Sequence, residues 1–203
     1  MIVYVESNFV LELAFHQEDH RSCEQLLHWA EAGHVRLVLP AYCVGEPYER
    51  MVRRDRQRRE VHRRLSDELR ELSRSAPYVE PVARLGEFTG VLVEAGQQEL
   101  RRLNEVLTRL LQVVTLIPVD AAVLQRALTA QLTLGLSPQD AIVYASVRAM
   151  VLASPAPQCF LNKNAKDFLT PEIEEEFSAH GCKLLARFSD GVRYAGRGLP
   201  PVT

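Results

Sequence analysis

A mostly parallel β-sheet covered on both faces by helices, an α/β fold, is the architecture the sequence predicts. Three features carry it. Five short apolar runs alternate with longer stretches of helical apolar spacing, the pattern of a sheet whose strands are buried on both sides. Helix-start and helix-stop residues fall at the junctions, as at Ser137-Pro138 and Gly33. The length of 203 residues is enough for one sizeable core.

The elements follow in order. "IVYV" at residues 2 to 5 reads as a buried strand, and "SNFVLELAF" as a helix with Ser7 or Asn8 as its cap. "DHRSCEQLLHWAEAG" is a second helix, started by Asp19 or Ser22 and stopped by Gly33, with Trp29 on its apolar stripe. "VRLVLP" is the second strand. A very polar helix runs from Ala41 to about Ser75, and Pro77 and Pro81 break it before another long helix ending near Val113. "VTLIPVD" is the third strand, followed by a helix for which Asp120 is the expected N-cap. "SPQDAIVYASVRAMVLA" is a helix with Ser137 as cap and Pro138 in its first turn. "QCFLN", "TPEIEEEFSAHG" and "CKLLA" give strand, helix and strand. Residues 1–190 are expected to form a single domain that includes a helical insertion at about 50–113, and the Gly- and Pro-rich residues 191–203 an irregular tail.

Composition excludes several classes. The chain is 47% hydrophobic and 25% charged, with no apolar run near the ~20 residues of a membrane span. Nor does its start resemble a secretory signal, so the expected location is the cytoplasm, away from membranes. Cys23, Cys43, Cys159 and Cys182 form no C-x-x-C pair, which points to reduced, buried thiols. His16 and His20 in "HQEDH" lack the H-E-x-x-H order of a zinc helix and read as a surface pair. The net charge of −2 hides an asymmetry. Residues 50–74 carry ten arginines against five acids, so the rest of the chain stands at −7.

In open α/β sheets, ligands bind beyond the carboxyl ends of the strands. Four acids from distant segments fall where such a rim would be. Glu6 ends the first strand, Glu46 follows the second by about two helical turns, Asp140 opens the "SPQDAIVYAS" helix, and Asp167 follows the fourth strand. Asp140 alone would suit the helix dipole and Glu46 alone an exposed helix face. A carboxylate directly after a buried strand, however, needs a cation or hydrogen bonds to stay ionised. Four converging carboxylates suit a hard divalent cation such as Mg²⁺ or Mn²⁺.

These segments resemble a known family. "VYVESNFVLEL" is similar to the strand-turn-helix opening of PIN-domain nucleases, where an acid is followed by Thr or Ser and then Asn. "PAYCVGEPYE", "LSPQDAIVYASV" and "FLNKNAKDF" resemble the second, third and fourth acidic segments of that family, in the same order. The resemblance implies an α/β/α sandwich around a mostly parallel five-stranded sheet and a metal-dependent endoribonuclease. Glu6, Glu46, Asp140 and Asp167 would hold Mg²⁺ or Mn²⁺ as the catalytic set, with Ser7, Asn8 and Asn164 supporting them from behind. This chain departs from the family in two places. Glu6 stands where the family usually has Asp, and Asn162 and Asn164 leave Asp167 as the single carboxylate of the fourth segment.

An acidic rim meets phosphate only if cations surround it. Arg50, Arg53 and Arg54 follow Glu46 by one to two turns, and Lys163 and Lys166 flank the fourth segment, so these are the expected RNA contacts. The other reading of the arginine-rich helix is a solvated face laced with i,i+4 pairs such as Glu60 and Arg64. By the same resemblance, the chain is expected to act as the toxin of a toxin-antitoxin pair, with RNA, a protein antitoxin and a second copy of itself as partners. The other class to weigh is a non-catalytic RNA-binding or scaffolding protein of the same fold. Phosphoryl transfer through an aspartyl intermediate fits poorly, because Glu6 stands where the nucleophile would be and no Gly-rich phosphate loop follows.

Overall fold

The computed structural model describes residues 1–154, 157–164 and 168–197, with the backbone alone at 86–89 and 92–93. Five strands, β1 (Ile2–Tyr4), β2 (Arg36–Pro40), β3 (Thr115–Ile117), β4 (Gln158–Leu161) and β5 (Cys182–Leu185), form one sheet in the order β3-β2-β1-β4-β5. Every pairing is parallel. The central strand β1 aligns Tyr4 with Val38 on one side and Phe160 on the other. The chain builds outward from β1 through β2 to β3 and then crosses back to β4 and β5 on the other side of β1, so the switch point of the sheet lies between β1 and β4, at their carboxyl ends.

Helices α1 (Ser7–Phe15), α2 (His20–Glu31), α3 (Tyr42–Leu72), α4 (Val79–Val113), α5 (Ala121–Leu134), α6 (Pro138–Ala153), α7 (Pro171–Ala179) and α8 (Phe188–Ala195) surround the sheet. Side-chain alternation along β4 shows both faces covered. Phe160 packs on Phe177 of α7 at 6.2 Å between ring centroids, whereas the next residue, Leu161, meets Gly191 of α8. On the α8 side, Phe9 of α1 meets Phe188 edge-on at 5.6 Å. Trp29 and all four cysteines are buried, and the cysteines are free thiols, as the sequence predicts. Among the described residues, no helix is long and apolar enough to cross a membrane.

Local chemistry sets the helix ends. Asp120 caps α5 by accepting from the Val123 N–H at 2.8 Å, and Ser137 caps α6, both as expected. The start of α1 differs from expectation. Neither Ser7 nor Asn8 caps it; Glu6 does, its Oε2 accepting from the Asn8 N–H at 2.9 Å. Residues 191–195, expected in the irregular tail, belong to α8. Gly191 is there because of packing, since a Cβ at this position would lie 2.6 Å from both Leu161 methyl carbons. The long helices α3 and α4 form a hairpin joined by a short 3₁₀ turn at Ala76–Tyr78, with Pro77 in that turn. Arg58 bridges the two helices with a bidentate pair to Glu99, at 2.7 and 2.9 Å.

The amino end of the sheet is closed by a buried polar network. Tyr4 donates to Gln158 Oε1 at 2.8 Å, and the Gln158 amide donates to the backbone carbonyls of Val151, Ser154 and His180 at 3.1, 3.4 and 3.0 Å. Removing one partner from such a network leaves buried polar groups unpaired. Gln158→Leu is therefore expected to lower the unfolding free energy by at least ~1–3 kcal/mol in urea titrations. The added Tyr4→Phe change should recover part of the loss, and strictly additive effects would show that the two groups are not coupled.

Candidate metal and nucleic-acid site

A cleft of about 820 Å³ opens at the carboxyl edge of the sheet, walled by Glu6, Glu46, Asp140, Asn162 and Asn164 among others. Each arrives by a separate route. Glu6 follows β1 after one intervening residue, Val5, Glu46 sits in the second turn of α3 after β2, Asp140 is in the first turn of α6, and the two asparagines follow β4. The fold thus brings three of the four expected acids to one cavity. Asp167 and Lys166 lie outside the described residues.

Glu6 is only 7% exposed. Its Oε2 is occupied by the Asn8 N–H, while its Oε1 is buried without a hydrogen-bond partner. Burial pushes the Glu6 carboxyl up to about 7; the Asn8 backbone and side chain and, more weakly, the Lys163 backbone N–H oppose the rise, and the nearby Glu46 carboxylate adds to it. A buried, half-satisfied carboxyl beside a second carboxylate is a site whose ionised form needs positive charge.

Neighbours hold the other acids. Ser7 donates its hydroxyl to Glu46 Oε2, which ties α1 to α3. Asp140 Oδ2 accepts from the Ser137 hydroxyl at 2.5 Å, and its Oδ1 accepts from the Asn164 amide at 3.2 Å. Asn164 is fixed in turn by its backbone N–H, which donates to Asn162 Oδ1 at 2.6 Å. Asn164 is thus hydrogen-bonded to Asp140, whereas Ser7, expected to hold Glu6, engages Glu46 instead. Asn8 acts on Glu6 through its backbone N–H and its side chain, the backbone bond being the stronger influence.

A sequence profile of the PIN domain matches residues 3–168, most of the chain. The chain belongs to the PIN-domain family. PIN domains are generally nucleases and typically use divalent metal ions. No curated protein matches the chain.

The donor set of this PIN domain consists of carboxylate and amide oxygens, the ligand chemistry of a hard divalent cation. The orphaned Glu6 Oε1 is the atom such an ion would satisfy. Among the described residues, no group of three or more His, Cys, Asp or Glu side chains is gathered to hold a metal ion by itself. In particular, His16 and His20 are a stacked pair 4.2 Å apart.

The expected phosphate contacts divide. Arg50 and Arg53 line the cleft. Arg54 does not: its guanidinium lies over the Phe15 ring and 3.7 Å from Glu99. Lys163 also departs from expectation. It lines the cleft, but its ammonium is held by Glu12 at 2.7 Å and by Asp19 at 3.2 Å. Burial works against the charge on Lys163, yet the hydrogen bonds to these two acids push its pKa up. Its role here is to tie the segment after β4 to α1. Glu12, 2% exposed, was not singled out from the sequence. It reads there as an ordinary helical residue, and its partner is 151 positions away.

The raised Glu6 carboxyl makes a testable prediction. Between about pH 4.5 and 7 the folded protein keeps a proton that the unfolded chain releases, so this group's contribution to stability falls as pH rises through that window. In metal-free protein, the parent should lose stability relative to Glu6→Gln across that range in thermal melts. Mg²⁺ added at pH 7.5 should raise the melting temperature of the parent and not that of the variant. A parent-minus-variant difference that is flat with pH would contradict the burial argument.

Proposed function

We propose that this PIN-domain protein is an endoribonuclease that hydrolyses RNA phosphodiester bonds with Mg²⁺ or Mn²⁺. The observation that carries the reading is the buried, unpartnered Oε1 of Glu6 at the wall of a cleft shared with Glu46 and Asp140. Those three side chains line one cleft without being gathered as a ligand set, so they would have to draw together around the ion, and Asp167 is proposed as a fourth ligand on the sequence alone. When bound, the cation supplies Lewis acidity, making water nucleophilic near neutral pH and neutralising charge on the phosphate and the leaving oxygen.

The chain's own residues prepare that chemistry. The Asn8 N–H fixes one oxygen of Glu6 and leaves the other without a protein partner. Ser7 fixes Glu46, while Ser137 and Asn164 fix Asp140, so the carboxylates do not have to reorganise during the reaction. Arg50 and Arg53 offset the repulsion between the acidic wall and the RNA phosphates. The products would carry a 5′-phosphate and a 3′-hydroxyl. A protein antitoxin and a homodimer belong to the same proposal by family analogy, to be sought by co-purification and by solution mass.

A second reading, an RNA-binding protein that keeps the fold without cutting, is favoured by the absence of a gathered set of three metal-ligating side chains among the described residues. Glu6 in the usual Asp place and the amides of Asn162 and Asn164 point the same way. Labelled RNA incubated with Mn²⁺ or Mg²⁺ separates the two. The nuclease should cut, stop when a chelator is added, and lose cleavage in Asp140→Asn while still binding RNA. Arg50→Glu with Arg53→Glu should weaken that binding and flatten its salt dependence. Binding without cleavage under every metal condition would select the second reading, and cleavage indifferent to chelator and to Asp140→Asn would overturn the metal-dependent mechanism.

A further inference from the structure

The arginines of α3 are not equivalent. Arg59 pairs with Asp55, Arg63 and Arg64 with Glu60, Arg70 with Asp67 and Arg74 with Glu71, all within the helix. Arg54 and Arg58 turn to Glu99 of α4. Among the described residues, Arg50, Arg53 and Arg56 have no ion-pair partner, and they lie three residues apart at the cleft end of the helix. The positive surplus of the segment is thus concentrated in one stripe leading out of the acidic cleft.

That stripe borders a second, shallower pocket of about 550 Å³ walled by Tyr48, Glu49, Val52, Arg53, Arg56 and Gln57. All six residues belong to α3, and Glu49 and Arg53 also line the acidic cleft, so the two sites adjoin. Its wall combines the exposed Val52 with the phenol of Tyr48, whose hydroxyl donates to Asn104 of α4 at 2.6 Å and so fixes the ring. The Arg stems add further apolar surface beneath charged, planar heads. An apolar wall, planar cations and an exposed amide are the groups that take up an unstacked nucleobase and the phosphate beside it.

We infer that this pocket is a nucleobase subsite, in which a nucleotide flanking the cut phosphate of a single-stranded RNA rests on Tyr48 and Val52 and is held by Arg56 and Gln57. The inference rests on the ribonuclease reading and adds to it the path of the strand. Arg53 holds the phosphate at the junction of the two cavities, and the chain of the substrate continues outward along α3. A duplex cannot present an unstacked base there, so the preferred substrate is single-stranded.

The test uses the full chain carrying Asp140→Asn, so that RNA is bound without being consumed, in Mg²⁺ buffer with fluorescent single-stranded oligoribonucleotides of graded length. Affinity should rise by on the order of tenfold once the oligomer is long enough to reach the pocket. Arg56→Ala with Gln57→Ala should remove that gain and leave binding of the shortest oligomers unchanged. Both residues are exposed on α3, and circular dichroism checks that the helix is retained. A single abasic nucleotide scanned along the oligomer should reproduce the loss at one position. Equal gains in the parent and the double variant, or no sensitivity to an abasic position, would overturn the subsite while leaving the nuclease reading intact. Failure of the parent to bind RNA of any length would overturn both.

Discussion

Everything at this site depends on a carboxyl group buried at the end of the central strand. β1 pairs in parallel with β2 on one side and β4 on the other, so the chain leaving it enters the crevice at the switch point of the sheet. Glu6, two residues past the strand, sits there and caps α1 at the same time. Capping uses one oxygen, and the other is left buried and unpaired next to Glu46. An unpaired buried carboxylate is too costly for a fold to carry without compensation, unless it stays protonated or receives a cation. The surrounding hydrogen bonds, Ser7 to Glu46 and Asn164 to Asp140, satisfy the neighbouring acids but not this atom.

The hairpin of α3 and α4 gives the acidic cleft an electrostatic counterpart. Its arginines are largely consumed by ion pairs within α3 and with Glu99, so its length contributes far less free positive charge than its sequence suggests. Exposed pairs of that kind contribute little to stability, and their main effect is to neutralise the outer hairpin. Among the described residues of α3, the arginines left without an ion pair are Arg50, Arg53 and Arg56, beside the cleft. On the other flank, Lys163 is drawn inward by Glu12 and Asp19 and fixes the segment that carries Asn162 and Asn164. Acidic wall, braced loop and basic stripe therefore come from three different parts of the chain.

Much of this was legible in the sequence because it is local. Apolar runs marked each strand, Asp120 and Ser137 marked helix starts, and Glu6, Glu46 and Asp140 fell in segments that an α/β sheet brings to its carboxyl rim. The features that escaped are those in which a residue's role is set by a distant neighbour. Glu6 as a cap could not be read, since Ser7 and Asn8 are the better intrinsic caps and Ser7 is instead engaged by Glu46. Glu12 carries no local signal, because its partner Lys163 reaches it only through the segment after β4. Gly191 fell in the stretch expected to be an irregular tail, yet it marks close contact between α8 and Leu161. Arg54 had the right spacing for the cleft but rests on Phe15 of α1. Asp167, named from the sequence, lies outside the described residues and is carried by the resemblance alone.

The central claim is that a divalent cation completes Glu6. Anomalous diffraction at the manganese edge, from crystals grown in Mn²⁺, tests it most directly. The account predicts a peak within bonding distance of Glu6 Oε1 that is lost in Glu6→Gln. A Mn²⁺ ion bound elsewhere in the cleft, with Glu6 Oε1 still unpartnered, would contradict it.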